Sequence, residues 1–324
     1  MVKKLFLSLA CCCMAVLLYA QPKYDTTKWQ IMVRGTDTFL MQKPSKGDVL
    51  LLAGNYREAV GAYRQLLKEG ETDRTVPYNM ACAYAALGNR DSAFFFLPMA
   101  LEYDSSIYVL TDPDFVNLLT DPRWKEIEDR QMRLQRMKGE RYREPGLSKE
   151  LWRMGIRDQA YYSQIKHAEN EYGMKSPVKD SLWGLKKQLN EENLQRLEQI
   201  IEDYGWPGIS LVGSRAANTA FLIVQHSDLE TQKKYKPMLM AACNRGDAEW
   251  GALALLIDRI EVNEGRPQVY GSQVRYNEEK GVYEPYPAID EHNLDKRRKE
   301  VGLRPAKSYY ANWKIDYTVE QNRK

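Results

Sequence analysis

Long apolar runs are nearly absent from this sequence. The longest, residues 5–18, falls short of the ~20 residues that a membrane-spanning helix needs, which excludes stable membrane insertion of the mature chain. Charge of one sign is absent too. The 47 Lys and Arg face 44 Asp and Glu, a formal +3, and so even a balance excludes the electrostatic field of a nucleic-acid binder. The stretch RQMRLQRMKGERYRE (130–144) is basic only locally and reads as a solvated helix end and linker. Cysteine is scarce: three of the five stand together at Cys11–Cys13, leaving Cys82 and Cys243. Both lie in apolar helical stretches of different halves, so they read as small buried hydrophobes rather than a disulfide. Histidine is scarcer still, with His167, His226 and His292 alone. A metal site from His226, Asp228, Asp290 and His292 fits no standard zinc or calcium spacing. VGSRAAN lacks the Lys and the spacing of a phosphate loop. No cofactor and no metal is therefore expected.

What is present begins with an export signal. MVKK is a short basic leader, residues 5–18 are apolar, and Leu18-Tyr19-Ala20 precedes Gln21. That order predicts cleavage after Ala20 and a periplasmic or secreted protein. An acylated Cys11 is disfavoured, because Ser8-Leu9-Ala10 lacks the Leu expected three positions upstream. With Lys3 and Lys4 removed, 45 basic side chains face 44 acidic ones, a net +1. Residues 21–43 read as a linker.

The N-terminal half then repeats. AGNYREAVGAYRQLL starts at Ala53 and LGNRDSAFFFLPMAL at Leu87, 34 residues later. Gly54 matches Gly88, Asn55 matches Asn89, Ala59 matches Ala93, Tyr63 matches Leu97, and Leu67 matches Leu101. The glycines suit a left-handed turn between helices, and the alanines let helices approach closely. Residues 44–105 thus resemble a pair of tetratricopeptide repeats. TDPDF (111–115) and TDPRW (120–124) place Asp before Pro, the order of a helix start. Phe115, Leu118, Leu119, Trp124 and Ile127 can then cap the stack, giving a helical unit over 44–130 and a charged linker over 131–146. Such a stack implies a protein or peptide partner. The competing reading is that so few repeats only pack against the rest of the chain.

From 147 to 324 the pattern is mainly helical. Ser148 can cap a helix running to about Tyr172, and Asn190 another, stopped by GWPG at 205–208. Ala217, Ala220, Phe221 and Val224 recur at helical spacing. Asp247 opens a helix with Trp250, Leu253, Ile257 and Ile260 on one face. Residues 267–287 read as a β-hairpin about NEEKG. Trp313, Ile315, Tyr317 and Val319 alternate with polar residues as a further strand would. The expected fold is mainly α: helical hairpins followed by a helical α+β domain with a small β-hairpin.

GWP (205–207), QHSD (225–228), DR (258–259), Q-V-YGSQ (268–273), Asp290 and RR (297–298) occur in an order that resembles an uncharacterised bacterial domain often found in secreted or repeat-containing proteins. Asp158-Gln159 and Asn193 match its pattern as well, so the resemblance covers about 147–310. It implies boundaries and a set of polar stations, but no reaction. Two departures stand out: the Arg expected shortly after Gln159 is replaced by AYYSQ, and Asn190 stands where Asp is favoured.

On chemistry alone, His226 is the natural general base near neutral pH, with Asp228 or Asp258 to orient it. Arg259 and Arg297 can bind an anionic group, and Asp158, Gln159, Gln225, Gln268, Tyr270 and Gln273 can hold a polar ligand. No nucleophile elbow accompanies them. The competing reading is structural. Ser227 and Glu230 form a capping-box pattern, a His in a last helical turn suits the helix dipole, and Asp258 and Arg259 point about 100° apart. Three functions remain open: an exported partner-binding protein with a polar ligand pocket, a hydrolase-like enzyme, and a purely structural interaction protein.

Overall fold

Most of the chain is built from helices whose ends are fixed by caps and left-handed turns. The computed structural model describes residues 31–32, 41–42, 44–70, 75–102, 104, 106, 108–173 and 175–318. The expected signal segment with Cys11–Cys13, and most of the 21–43 segment, lie outside the described residues; a two-residue pairing joins β1 (Ile31–Met32) to β2 (Met41–Gln42). Two compact units emerge. One comprises the chain up to Arg141 together with Trp152–Leu189, and the other Tyr142–Leu151 together with Asn190–Lys324.

In the first unit, α1 (Lys46–Leu52), α2 (Tyr56–Lys68), α3 (Thr75–Ala86) and α4 (Arg90–Ala100) form successive antiparallel hairpins. Helices α2 and α4 start 34 residues apart, and their entrances share one device: Gly54 and Gly88 take φ of 75° and 72°, where a Cβ is costly. Ala59, Ala93, Tyr63 and Leu97 are all fully buried, so the matched positions are core positions. A polar pin joins three helices. Asp48 completes a capping box with Ser45 and accepts from the Tyr63 hydroxyl and the Asn79 amide, both at 2.8 Å. Asp112 caps a 3-10 helix at Pro113–Leu118, as the Asp-Pro order predicts, and α5 spans Arg123–Met137. The Glu128 carboxylate, 1% exposed, receives both Nε and Nη2 of Arg153.

Helix α6 runs Pro145–Gln159, α7 Tyr162–Tyr172 and α8 Pro177–Tyr204. The single helix expected from Ser148 to Tyr172 is therefore broken, at a left-handed Tyr161 with φ 70°. Ser148 lies inside α6, where its hydroxyl bonds back to the Glu144 carbonyl. Nor does Asn190 cap a helix. It sits mid-way along α8, flanked by strong helix formers that carry it through. The expected stop at GWPG is observed, with Gly205 at φ 71°.

The second unit is centred on α10 (Ser214–Gln225), which follows the short α9 (Ile209–Val212). Ala217, Ala220, Phe221 and Val224 are buried as their spacing predicts, along with most of α10. Helices α11 (Leu229–Asn244) and α12 (Trp250–Asn263) pack around it. The start of α12 differs from expectation: Glu249 precedes it, Asp247 accepts the Ser210 N–H at 2.6 Å instead, and Trp250 is exposed. The β-hairpin is present as β3 (Val274–Asn277) and β4 (Val282–Pro285), antiparallel with Val274 opposite Pro285. Helices α13 (Leu294–Glu300) and α14 (Ala306–Tyr310) follow. The strand expected near 313–319 is not found among the described residues. Ile315 and Tyr317 instead pack, without strand pairing, on a cluster of Leu294, Ala306 and Tyr310. The fold is mainly α with a small antiparallel hairpin.

Candidate functional site

Four polar stations of the second unit, Asp258, Gln268, Arg297 and Arg298, converge on a backbone. Past the end of α12, residues 268–273 form a loop that lies over the Asp258 carboxylate. That side chain has no solvent exposure. One oxygen, Oδ1, accepts the N–H groups of Val269 at 2.7 Å and Tyr270 at 2.8 Å. The other accepts the Ser272 N–H at 2.8 Å. A buried carboxylate is tolerable only when its lone pairs are used, and here the loop uses them. Burial pushes the Asp258 carboxyl above its ordinary range, while the three N–H bonds pull it back.

The carbonyls of the same loop are held from the opposite sign of charge. Arg298, 1% exposed, donates Nη1 to Tyr270 O at 2.6 Å and Gly271 O at 3.2 Å, and Nε to Arg304 O. Arg297 donates to the carbonyls of Val269, Ile289 and Asp290. The Tyr309 hydroxyl donates to Ser272 O at 2.8 Å. Gln268, fully buried, closes the loop on itself: its Oε1 accepts the Gln273 N–H at 2.8 Å, and its Nε2 donates to Gln273 O and Tyr286 O. Among the described residues, only the Gly271 N–H of this loop is left without a bond. Gly271 itself is required: its φ is 64°, and a Cβ there would stand 2.7 Å from the Tyr310 hydroxyl oxygen.

This arrangement brings together Asp258, Gln268, Tyr270, Gln273 and Arg297. Tyr270 and Gln273 are half-buried, and Gln273 Nε2 donates to the Ser272 hydroxyl at 2.9 Å. Burial raises the Tyr270 hydroxyl's pKa above the usual value. The residues with most influence on the loop beyond these are Arg298 and Tyr309. The RR pair offered the signal for Arg298; nothing marked Tyr309.

The QHSD stretch is a junction between helices. Its Gln225 is 4% exposed; Nε2 donates weakly to Leu255 O at 3.4 Å, and Oε1 is buried with no partner among the described residues. His226 is the half-buried residue closing α10. The next helix is capped by Asp228 and not by Ser227: Asp228 Oδ1 accepts the Thr231 N–H at 2.8 Å, while the Ser227 hydroxyl turns back to Ile223 O. The cap holds the exposed Asp228 carboxyl below its ordinary range. Gln232, buried one turn on, donates to the carbonyls of Gln225 and Ser227 and fixes the junction. Arg259 is half-buried on α12 beside Asp258.

Asp158 and Gln159 belong to the first unit, where both are buried and Gln159 Nε2 donates to Asp158 Oδ2 at 2.5 Å. Lys186, 1% exposed, bonds the Asp158 carbonyl and lies 4.1 Å from the Tyr162 ring centroid. Within the second unit, a shallow groove between α8 and α11 is lined by Glu198, Ile201, Lys234 and Tyr235, and none of the candidate residues borders it. Of His226, Asp228, Asp290 and His292, no three come within ligand distance of one another.

A model of a family of unknown function (DUF6624) matches residues 145–320, more than half of the chain. No curated protein matches the chain, and no solved structure does.

Proposed function

The chain belongs to the DUF6624 family, and on that premise we propose that it is an exported binding protein whose family domain presents the loop 268–273 to a polar ligand. One observation carries the reading. Buried Asp258, Gln268 and Arg298, with Arg297 and Tyr309, are spent on the backbone of a six-residue loop. A connection between a helix and a hairpin needs no such fixing. A recognition loop does, because ordering it in advance removes an entropic cost from binding. The groups it offers are the half-buried Tyr270 phenol and Gln273 amide.

The N-terminal hairpins are the second part of the proposal. Their 34-residue offset, with small residues at Ala59 and Ala93, supports a tetratricopeptide-like stack that binds a peptide or protein segment. Export is proposed from the leader, apolar run and Ala20 of the sequence. N-terminal sequencing of the protein recovered outside the cytoplasm should start at Gln21; a chain still carrying Met1 would overturn export.

The binding reading is tested by thermal shift on the chain from Gln21 against nucleotides, sugars and cell-wall fragments, each tried singly. A ligand at 100 times its dissociation constant adds about 2.7 kcal/mol. That shift should vanish in Tyr270→Ala and Gln273→Ala. A ligand whose shift survives both variants but is lost in His226→Ala would place the site on the helix junction and refute the loop. A hydrolase-like activity lost in His226→Ala would do the same.

A further inference from the structure

One cluster of ligating groups lies away from the family domain's loop. Cys82 on α3 faces the 3-10 helix at Pro113–Leu118, and its Sγ lies within 4.8 Å of a carboxylate oxygen from each of Asp112 and Asp114, which are themselves that close. Cys82 and Asp112 are 3% and 6% exposed, whereas Asp114 is half-buried. Asp112 has structural work: it caps the turn through the Asp114 N–H at 3.0 Å and accepts the Tyr78 hydroxyl at 2.6 Å. Asp114 caps nothing among the described residues, and its carboxylate meets only the Cys82 thiol and the charge of Asp112.

The charge at this place does not balance. Among the described residues, no Lys or Arg forms an ion pair with either carboxylate. Buried charges are ordinarily paired or coordinate a metal, and a hydrophobic side chain would fill the place of Cys82 at less cost.

We propose that Cys82, Asp112 and Asp114 form a binding site for a divalent transition-metal ion, with zinc the best match. One thiolate and two carboxylates make a mixed soft and hard donor set that suits zinc and disfavours magnesium and calcium, which take oxygen alone. Three protein donors are the number that a catalytic-type zinc site takes, its fourth position being filled by water. Binding displaces the thiol proton, and any proton held between the two carboxyls, to solvent. The ion joins α3 to the turn that follows α4, so it also stabilises the hairpin stack. This inference does not depend on the loop reading.

The test is a cobalt titration of the chain from Gln21 after chelation, because cobalt bound to thiolate absorbs by charge transfer. One equivalent should bind with a thiolate-to-cobalt band that zinc abolishes, and zinc alone should raise Tm. Cys243→Ser, which removes the other thiol of that chain, should leave the band unchanged. Cys82→Ser should abolish it, and Asp114→Asn should weaken binding at least tenfold, with folding of each variant checked by circular dichroism. No band at millimolar cobalt, or a band lost in Cys243→Ser, overturns the site. So does undiminished binding in Asp114→Asn, which decides the matter even if Cys82→Ser fails to fold.

Discussion

Replacing Asp258 by Asn separates a scaffold from a reactive group. The carboxylate accepts two N–H groups on Oδ1 and one on Oδ2, all at 2.7–2.8 Å. An amide turned to keep its oxygen on Val269 and Tyr270 sets its own NH2 against the Ser272 N–H, donor against donor. One charge-assisted bond is lost, worth about 1.5–3 kcal/mol, and two others fall to neutral strength at about 1 kcal/mol each. Relief from burying the charge returns part of this, so the expected net loss is about 3 kcal/mol. For a unit of this size that is a fall in Tm of roughly 6–12 °C. Urea unfolding followed by tryptophan fluorescence and circular dichroism measures it, with the m-value reporting any change of compactness. A carboxylate kept for chemistry carries a stability cost, and its amide is neutral or stabilising. A loss below about 1 kcal/mol would therefore refute the reasoning.

Other expectations follow from single contacts. Gly271→Ala combines a φ of 64° with a Cβ 3.0 Å from Leu294 and 2.7 Å from the Tyr310 oxygen, and should cost about 3 kcal/mol. Gly88→Ala, with φ 72° and nothing within 4 Å, should cost only about 1 kcal/mol; equal losses in thermal melts would contradict this. Asp228 has its folded pKa held below the ordinary 3.8 by the Thr231 N–H. Its contribution should thus be full above that value and disappear as pH falls through the lower folded pKa. Measured as the stability gap to Asp228→Ala, about 1 kcal/mol at pH 7, it should close in acid; a gap that widens there would be wrong in sign. Both Cys82 and Cys243 are free and buried, with burial raising the Cys243 thiol to about 11. Thiol titration of the chain from Gln21 should find no reactive group when folded and two when unfolded.

Local chemistry explains which parts of this fold could be read in advance. The hairpin at NEEKG, the stop at GWPG and the glycines at 54 and 88 each depend on a turn whose residues are adjacent in sequence. The break at Tyr161 carries no Gly or Pro to announce it. Asn190 has a cap's chemistry but lies within a helix, because capping preference competes with helix propagation, and a helix already running wins. Alternation around Ile315 and Tyr317 resembled a strand, but a strand needs an edge to pair with, and these side chains meet the Tyr310 cluster instead. The stations Asp258, Gln268, Arg297 and Arg298 stood out as polar groups in a helical domain. Their employment did not, because main-chain acceptors and donors look the same in every sequence. Tyr309 and the Cys82–Asp112–Asp114 cluster depend on contacts across 37, 30 and 32 positions, distances no local pattern spans.

The account's central claim is that the loop 268–273 is a rigid element held by buried side chains. Native-state hydrogen exchange on the intact chain tests it most directly. The amides of Val269, Tyr270, Ser272 and Gln273 should exchange as slowly as those of the buried helix α10, while Glu278 and Glu279 in the exposed hairpin turn exchange fast. Loop amides that exchange at the rate of that turn would contradict it.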